Sequence, residues 1–230
     1  MRLDKFFSEQ KILSRRETAV AVKKGRIAVN GITATSSDMK ITVTDEITLD
    51  GKFVEYRKFV YVMLNKPDGY VCSTDDPRDK TVLELLPEQL RKVGLFPCGR
   101  LDKDTVGLVI LTSDGKSAHR ALSPSKHVEK KYLFVVADEY SDEDVTAIEH
   151  GLILANGETT KPCKINRIDE KSGYITLTEG KYHEIKRLFG ARKNRITFLK
   201  RVSFGGITLS DLPRGEWRYL TPEEELLFIK

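Results

Sequence analysis

Gly99-Arg100-Leu101-Asp102-Lys103-Asp104-Thr105-Val106-Gly107-Leu108-Val109-Ile110-Leu111-Thr112-Ser113-Asp114-Gly115 is the stretch from which the rest of the chain is read. Two acids, two bases and a hydroxyl fall between Arg100 and Thr105. Leu108 to Leu111 then predicts a buried strand, which Ser113-Asp114-Gly115 ends with turn chemistry. The charges therefore lie against the wall of a core, where a carboxylate needs a partner to stay ionised. Arg100 is the nearest candidate partner for Asp102. Three readings are open at this point. One is a solvated turn with a structural ion pair. The second is a phosphoryl-transfer site, with Asp102 and Asp104 positioning a nucleophile and magnesium; that chemistry favours an apolar strand leading into the first acid, and Phe96-Pro97-Cys98-Gly99-Arg100 reads as a loop. The third is a single nucleophilic Asp102 with an arginine beside it.

Composition narrows the classes. With 230 residues there is room for one large domain or a small one and a medium one. A net charge of +5 suits a polyanionic partner such as a nucleic acid. The three cysteines, Cys72, Cys98 and Cys163, form no Cys-x-x-Cys pair, which argues against zinc and for a reducing, cytoplasmic setting. The histidines are isolated, so no metal site is expected. Neither a signal-type segment nor an apolar run long enough to span a bilayer is read, so no membrane association is expected.

The first sixty residues read as helix, helix and hairpin. Leu3, Phe6 and Phe7 share a face of a helix over 2–10. Ser14-Arg15-Arg16-Glu17 is a capping box opening a second helix to about Lys24, with Ala19, Val20 and Val22 toward its apolar side and Gly25 closing it. Asn30-Gly31 supplies a tight hairpin turn, and 41–49 is expected to be strand. Arg2, Lys5, Lys11, Arg15, Arg16, Lys23, Lys24 and Arg26 crowd a region whose only acids before residue 38 are Asp4, Glu9 and Glu17, a pattern suited to phosphate contacts. Met1-Arg2-Leu3-Asp4-Lys5-Phe6, Ser14-Arg15-Arg16 and Lys24-Gly25-Arg26-Ile27-Ala28-Val29-Asn30-Gly31 resemble an S4 RNA-binding domain, assigned to 1–57, and the resemblance implies binding to structured RNA.

Beyond a short linker, strands are read at 59–64, 130–137, 165–168, 173–178, 196–199 and 206–209, with extended structure at 71–73. Helices are read at 81–86, 116–122 and 142–150 and after Lys181. The stretch 213–218 reads as a turn into the chain's ending. Hairpin-length connections between strands predict an α+β domain over 58–230 with a mixed, largely antiparallel sheet. No phosphate-loop or dinucleotide fingerprint is present, so no cofactor is expected.

Three spaced elements carry a second resemblance. Lys66-Pro67-x-Gly69-Tyr70, Gly99-Arg100-Leu101-Asp102-x-Asp104-Thr105-x-Gly107-Leu108 and Gly180-Lys181-Tyr182-His183-x-Ile185-Lys186-Arg187 resemble the RsuA branch of the pseudouridine synthases, with Glu184 where the branch usually has Gln. The resemblance implies isomerisation of uridine to pseudouridine after base flipping, with Asp102 as nucleophile, Lys186 as its paired base, Tyr132 stacking on the uracil, and Arg100 holding the RNA backbone or filling the vacated space. Lys181 and Arg187 are expected at phosphates, and Lys66-Pro67 as support for the pocket. Tyr70 to Pro77 is most similar to members acting on small-subunit 16S rRNA (uridine 516), which implies 16S rRNA or a partly assembled small ribosomal subunit as partner, and a monomer. The alternatives are a large-subunit 23S rRNA uridine, a non-catalytic S4 ribosome assembly factor, and a magnesium-dependent phosphatase built on Asp102 and Asp104.

Overall fold

The computed structural model describes residues 1–229. It divides into two compact units, Met1–Val60 with Pro87–Gly94, and Tyr61–Leu86 with Leu95–Lys230.

In the first unit, α1 (Leu3–Glu9) and α2 (Arg15–Lys23) precede a four-stranded antiparallel sheet of β1 (Ile27–Val29), β2 (Ile32–Thr33), β3 (Ile47–Leu49) and β4 (Lys52–Phe53), ordered β2-β1-β3-β4. A short helix, α3 (Glu88–Arg91), belongs to this unit. The Ser14 hydroxyl accepts from the Glu17 N–H at 3.2 Å, and the Glu17 carboxylate accepts from the Ser14 N–H at 2.7 Å, so the capping box is closed. Asn30 and Gly31, at φ of 51° and 78°, turn β1 back into β2. The core is Leu3, Phe6 and Phe7 against Ala21, Val22, Ile27, Val29 and Ile47. Burial of each of the larger of these side chains contributes about 1.5–3 kcal/mol.

Two expectations are corrected here. The buried stripe of α2 is Thr18, Ala21 and Val22, at the three-and-four spacing of one helix face, and Val20 is exposed. The strand expected over 41–49 is confined to Ile47–Leu49, because 43–44 form a turn held by the Asp45 carboxylate accepting from the Thr42 N–H at 2.6 Å.

The second unit is a nine-stranded mixed sheet. Its strands are β5 (Tyr61–Lys66), β6 (Phe96–Cys98), β7 (Val106–Thr112), β8 (Lys130–Val136), β9 (Lys164–Arg167), β10 (Ser172–Leu177), β11 (Ile196–Phe204), β12 (Ile207–Thr208) and β13 (Trp217–Tyr219). The path is β13-β5-β7-β11-β8-β10-β9, with β12 on β11 and β6 on β7. The pairings are antiparallel except β7 with β11. Helices α4 (Gly115–Leu122), α5 (Asp142–His150), α6 (Glu184–Ala191) and α7 (Pro222–Ile229) complete it. Every residue of β5 and β7 is buried, as strands covered on both faces require.

The parallel seam explains Gly107. Its φ is +105°, and a Cβ there would lie 2.2 Å from the Arg201 carbonyl oxygen across the Arg201–Gly107 register pair. Any larger residue would push β11 away from the start of β7, immediately after the acidic loop.

Two segments differ from their sequence reading. Phe96–Cys98 is a strand, not a loop, pairing with β7 from Phe96–Thr112 to Cys98–Ile110. Pro97 removes one N–H, which an edge strand tolerates and a central one does not. The chain's ending holds both β13 and α7. In α7, Thr221 and Glu224 form reciprocal bonds of 2.9 and 3.3 Å, Arg218 forks onto Glu224 at 2.6 and 2.7 Å, and Phe228 packs edge-on to Tyr61.

Candidate active site

The acidic loop is the connection from β6 to β7. Gly99, at φ +84°, turns the chain out of β6, and the Thr105 N–H donates to the Asp102 carbonyl at 3.1 Å to turn it back. Beneath the loop lies Lys66, the last residue of β5 and fully buried. Its ammonium donates to the carbonyls of Thr105 (2.7 Å), Asp102 (3.0 Å), Lys103 (3.1 Å) and Pro67 (3.1 Å). One side chain thus pins the backbone on both sides of Asp104. Burial holds the Lys66 ammonium below the usual lysine range.

The side chains of the loop meet α6. Ile185, Leu188 and Phe189 form its buried stripe, with Phe189 stacked obliquely on Phe134 of β8 at 4.8 Å between centroids. Seating that stripe on the sheet brings Lys186 to the acids: its Nζ is 3.0 Å from Asp102 Oδ2 and 2.6 Å from Asp104 Oδ1. Burial pulls the Lys186 ammonium down, but the two carboxylates outweigh it and the net direction is up. Burial likewise pushes Asp104 up, and Lys186 more than reverses it. His183, in a left-handed conformation at φ 50° just before α6, places Nε2 3.4 Å from Asp102 Oδ1.

Asp102 therefore lies between Lys186 and His183, not against Arg100 as proximity in sequence suggested. Arg100 is exposed and lines the same cavity. The ammonium also occupies the position between the two carboxylates that a shared metal ion would need, which disfavours the phosphatase reading; the lead-in does not, since Phe96–Cys98 is a strand.

The cavity is about 80 Å³ and is walled by Arg100, Asp102, Thr105, Tyr132, Leu177, Glu179, Lys181, Glu184, Lys186 and Leu199 among others. Tyr132 reaches it because β8 alternates, with Tyr132, Phe134 and Val136 buried on one face. A broader groove of about 800 Å³ shares Arg100, Asp102, Lys181 and His183 with it and extends past Val71, Ser73, Asp76 and Tyr182. Tyr182 is 74% exposed and stacks on His183 at 3.8 Å. Among the described residues, no group of three or more His, Cys, Asp or Glu is placed to hold a metal ion.

The four residues expected at the reaction, Asp102, Tyr132, Lys186 and Arg100, share this one cavity. Lys181 lines it too, with its ammonium on the Thr159 carbonyl and 3.6 Å from Glu179. Arg187 is turned aside, bonded to Asn156 and 2.8 Å from Glu158. In the first unit, Arg2 pairs with Asp4, Lys5 with Glu9 and Arg26 with Asp50. Arg15, Arg16, Lys23 and Lys24 are exposed and carry no ion pair among the described residues. Sequence reasoning missed His183, Glu179 and Thr105 as cavity residues. The motif containing His183 was visible, but only the left-handed turn shows that its ring faces Asp102.

Known proteins are similar to this chain in sequence and in fold. A family model described as RNA pseudouridylate synthase matches residues 60–191, and an S4 domain model matches residues 1–47. The chain is 43% identical to YtzG of Bacillus subtilis, named as an uncharacterized RNA pseudouridine synthase, over 97% of this chain and 96% of that one. It is 41% identical to ribosomal small subunit pseudouridine synthase A of Yersinia pestis, over 97% and 96%. It is 40% identical to the protein of the same name from Escherichia coli K12, over 97% and 98%. A crystal structure of a pseudouridylate synthase aligns with a TM-score of 0.71 at 37% identity, covering 99% of both chains. The chain belongs to the RNA pseudouridylate synthase family, in its RsuA-type branch with an N-terminal S4 domain.

Proposed function

We propose that this protein isomerises one uridine of small-subunit 16S rRNA, the position-516 site implied by the resemblance at Tyr70 to Pro77, to pseudouridine. The observation that carries the reading is the Asp102 carboxylate, flanked by Lys186 and His183, at a cavity that Tyr132 also walls. Relatives named as small-subunit pseudouridine synthases match nearly the full chain and support the choice of rRNA.

In this reading the reacting uridine leaves its stack, at a cost of a few kcal/mol, and its base enters the cavity against the Tyr132 ring. Asp102 assists cleavage of the N1–C1′ bond. The uracil turns over, C5 bonds to C1′, C5 loses its proton and N1 regains one, so the product is an isomer and no co-reactant is consumed. Lys186 supplies a fixed cation to the carboxylate throughout. Arg100, exposed at the rim, meets the backbone or fills the space the base has left. Arg15, Arg16, Lys23 and Lys24 of residues 1–57, together with Arg2, Lys5 and Arg26, face phosphates.

The test is carbodiimide-based pseudouridine mapping of rRNA from cells lacking this protein, rescued by wild type or Asp102→Asn. Loss of one small-subunit signal that only wild type restores is the expected result. A missing large-subunit signal would move the target to 23S rRNA, and an unchanged map would overturn the assignment for rRNA.

A further inference from the structure

Glu184 is a carboxyl group where a carboxylate fits poorly. It is the first residue of α6, only 4% exposed, and lines the cavity. Its Oε2 accepts from the Lys181 N–H at 2.9 Å, while Oε1 is buried with no partner. On the same cavity wall is Glu179, whose carboxyl accepts from the Lys161 N–H at 2.6 Å and lies 3.6 Å from the ammonium of Lys181, the residue whose N–H bonds Glu184. Glu179 thus has donors of its own. Glu184 Oε1 has none, and its neighbour offers only acceptors while ionised.

We infer that Glu184 and Glu179 share one proton, carried on Glu184 and donated to Glu179, and that this bond positions His183 and Lys186 on Asp102.

The proton turns two mutually repelling acceptors into a donor and an acceptor and gives the orphaned oxygen its bond. Burial raises the Glu184 carboxyl first, and the neighbouring Glu179 charge raises it further, to about 8. Burial also raises Glu179, but the interaction with Glu184, the Lys161 N–H and the charges of Lys181 and Lys161 reverse that and leave it below the usual range. The other charged and titratable groups near the pair are Lys181 on the same turn, Lys161 and Cys163 on the segment before β9, and Lys130 on β8, with Arg100, Asp102, Tyr132, His183 and Lys186 on the rest of the cavity wall. The location gives the bond its consequence. Glu184 lies between His183 and Lys186 in sequence, so the pair ties the turn after β10 to the first turn of α6, from which both contacts to Asp102 come. Removing the proton puts two like charges at that joint.

The inference deepens the proposed function and rests on it for the activity readout. The experiment is the ratio of pseudouridine formation at pH 9 to that at pH 6.5, measured on full-length wild type, Glu184→Gln and Glu179→Gln with the same RNA. Wild type should lose up to tenfold per pH unit above about 8. Either amide variant supplies an N–H that no longer titrates, so the ratio should rise several-fold toward unity in both. Titration of the RNA itself falls equally on all three proteins and cancels in the comparison. An amide variant with the wild-type ratio would overturn the inference. A second readout needs no activity. A carboxyl raised from 4.5 to about 8 on folding stabilises the fold fully below 4.5, and that stabilisation is lost as pH rises to about 8. The wild-type Tm should therefore drop more than that of Glu184→Gln between pH 6.5 and 9, and equal drops would overturn the shared proton. If no protein forms pseudouridine on any rRNA, the proposed function fails, while the Tm comparison still decides the pair.

Discussion

Two lysines hold the same loop from opposite sides, and their surroundings drive them in opposite directions. Lys66 sits beneath the loop, fully buried, with its ammonium among four carbonyl oxygens. Lys186 sits above it with a quarter of its side chain exposed, between two carboxylates. Carbonyl dipoles do not offset the desolvation of Lys66, whose ammonium is pulled down. Two full charges do offset it at Lys186, which is pushed up. The lower lysine fixes where the loop is, and the upper one fixes the charge it presents. A site that must hold one carboxylate in a defined place needs both, and substitutions should separate them.

The largest effect is expected at the residue both lysines serve. Asp102→Asn keeps the shape of the side chain and removes the charge. Pseudouridine formation in vitro should fall about a thousandfold or more, with Tm within a few degrees of wild type. A variant retaining a tenth of wild-type activity would remove Asp102 from the reaction and leave Lys186 as an ordinary ion-pair partner.

Lys66→Met should come next and should act on stability. It removes a donor from the carbonyls of Asp102, Lys103 and Thr105; the first two keep the N–H groups of Thr105 and Gly69, so the cost, about 1–3 kcal/mol, falls mainly on the Thr105 carbonyl. Denaturant unfolding should show a loss of about 1–3 kcal/mol, with activity falling as the loop loses its place. Unchanged stability would mean that the loop is held from above alone. Lys186→Met should invert the pattern. Its pairs are partly solvated, so stability should change by under about 1 kcal/mol, while kcat falls about a hundredfold for want of the cation at Asp102. Similar stability losses in the two methionine variants would collapse the distinction between them.

How much of this was legible depended on whether the deciding contact was local. The buried β7 follows from Leu108 to Leu111, and the opening of α2 from Ser14 and Glu17, because apolar runs and capping boxes act within a few residues. β6 was obscured by Pro97, whose missing N–H matters only once the strand's place at the edge is known. α7 carried a usable signal, Thr221-Pro222-Glu223-Glu224, a capping box with proline at the first helical position, and it went unread. Arg100 was paired with Asp102 by adjacency, while the observed partners, His183 and Lys186, come from another element that the sheet folds back. Nothing in spacing shows that approach. Only the family resemblance pointed to Lys186, and neither pointed to His183 as a contact of the acid.

The smallest predicted effect discriminates most finely between one acid and two. Asp104 makes the shorter contact with Lys186, 2.6 Å against 3.0 Å for Asp102, yet 72% of its side chain is exposed. Solvent screening discounts such a pair to about 0.5 kcal/mol or less. Its carboxyl is held below the usual value, so its contribution is present above 3.8 and disappears as pH falls through the lowered folded value. The Tm difference between wild type and Asp104→Asn should therefore be small at pH 6, smaller in high salt, and absent in acid. Activity should change by only a few-fold, because releasing Lys186 from Asp104 leaves it free to bond Asp102. If Asp104→Asn instead abolishes turnover as Asp102→Asn should, the two carboxylates act as equals, and the single-nucleophile reading of the loop gives way to a two-acid one.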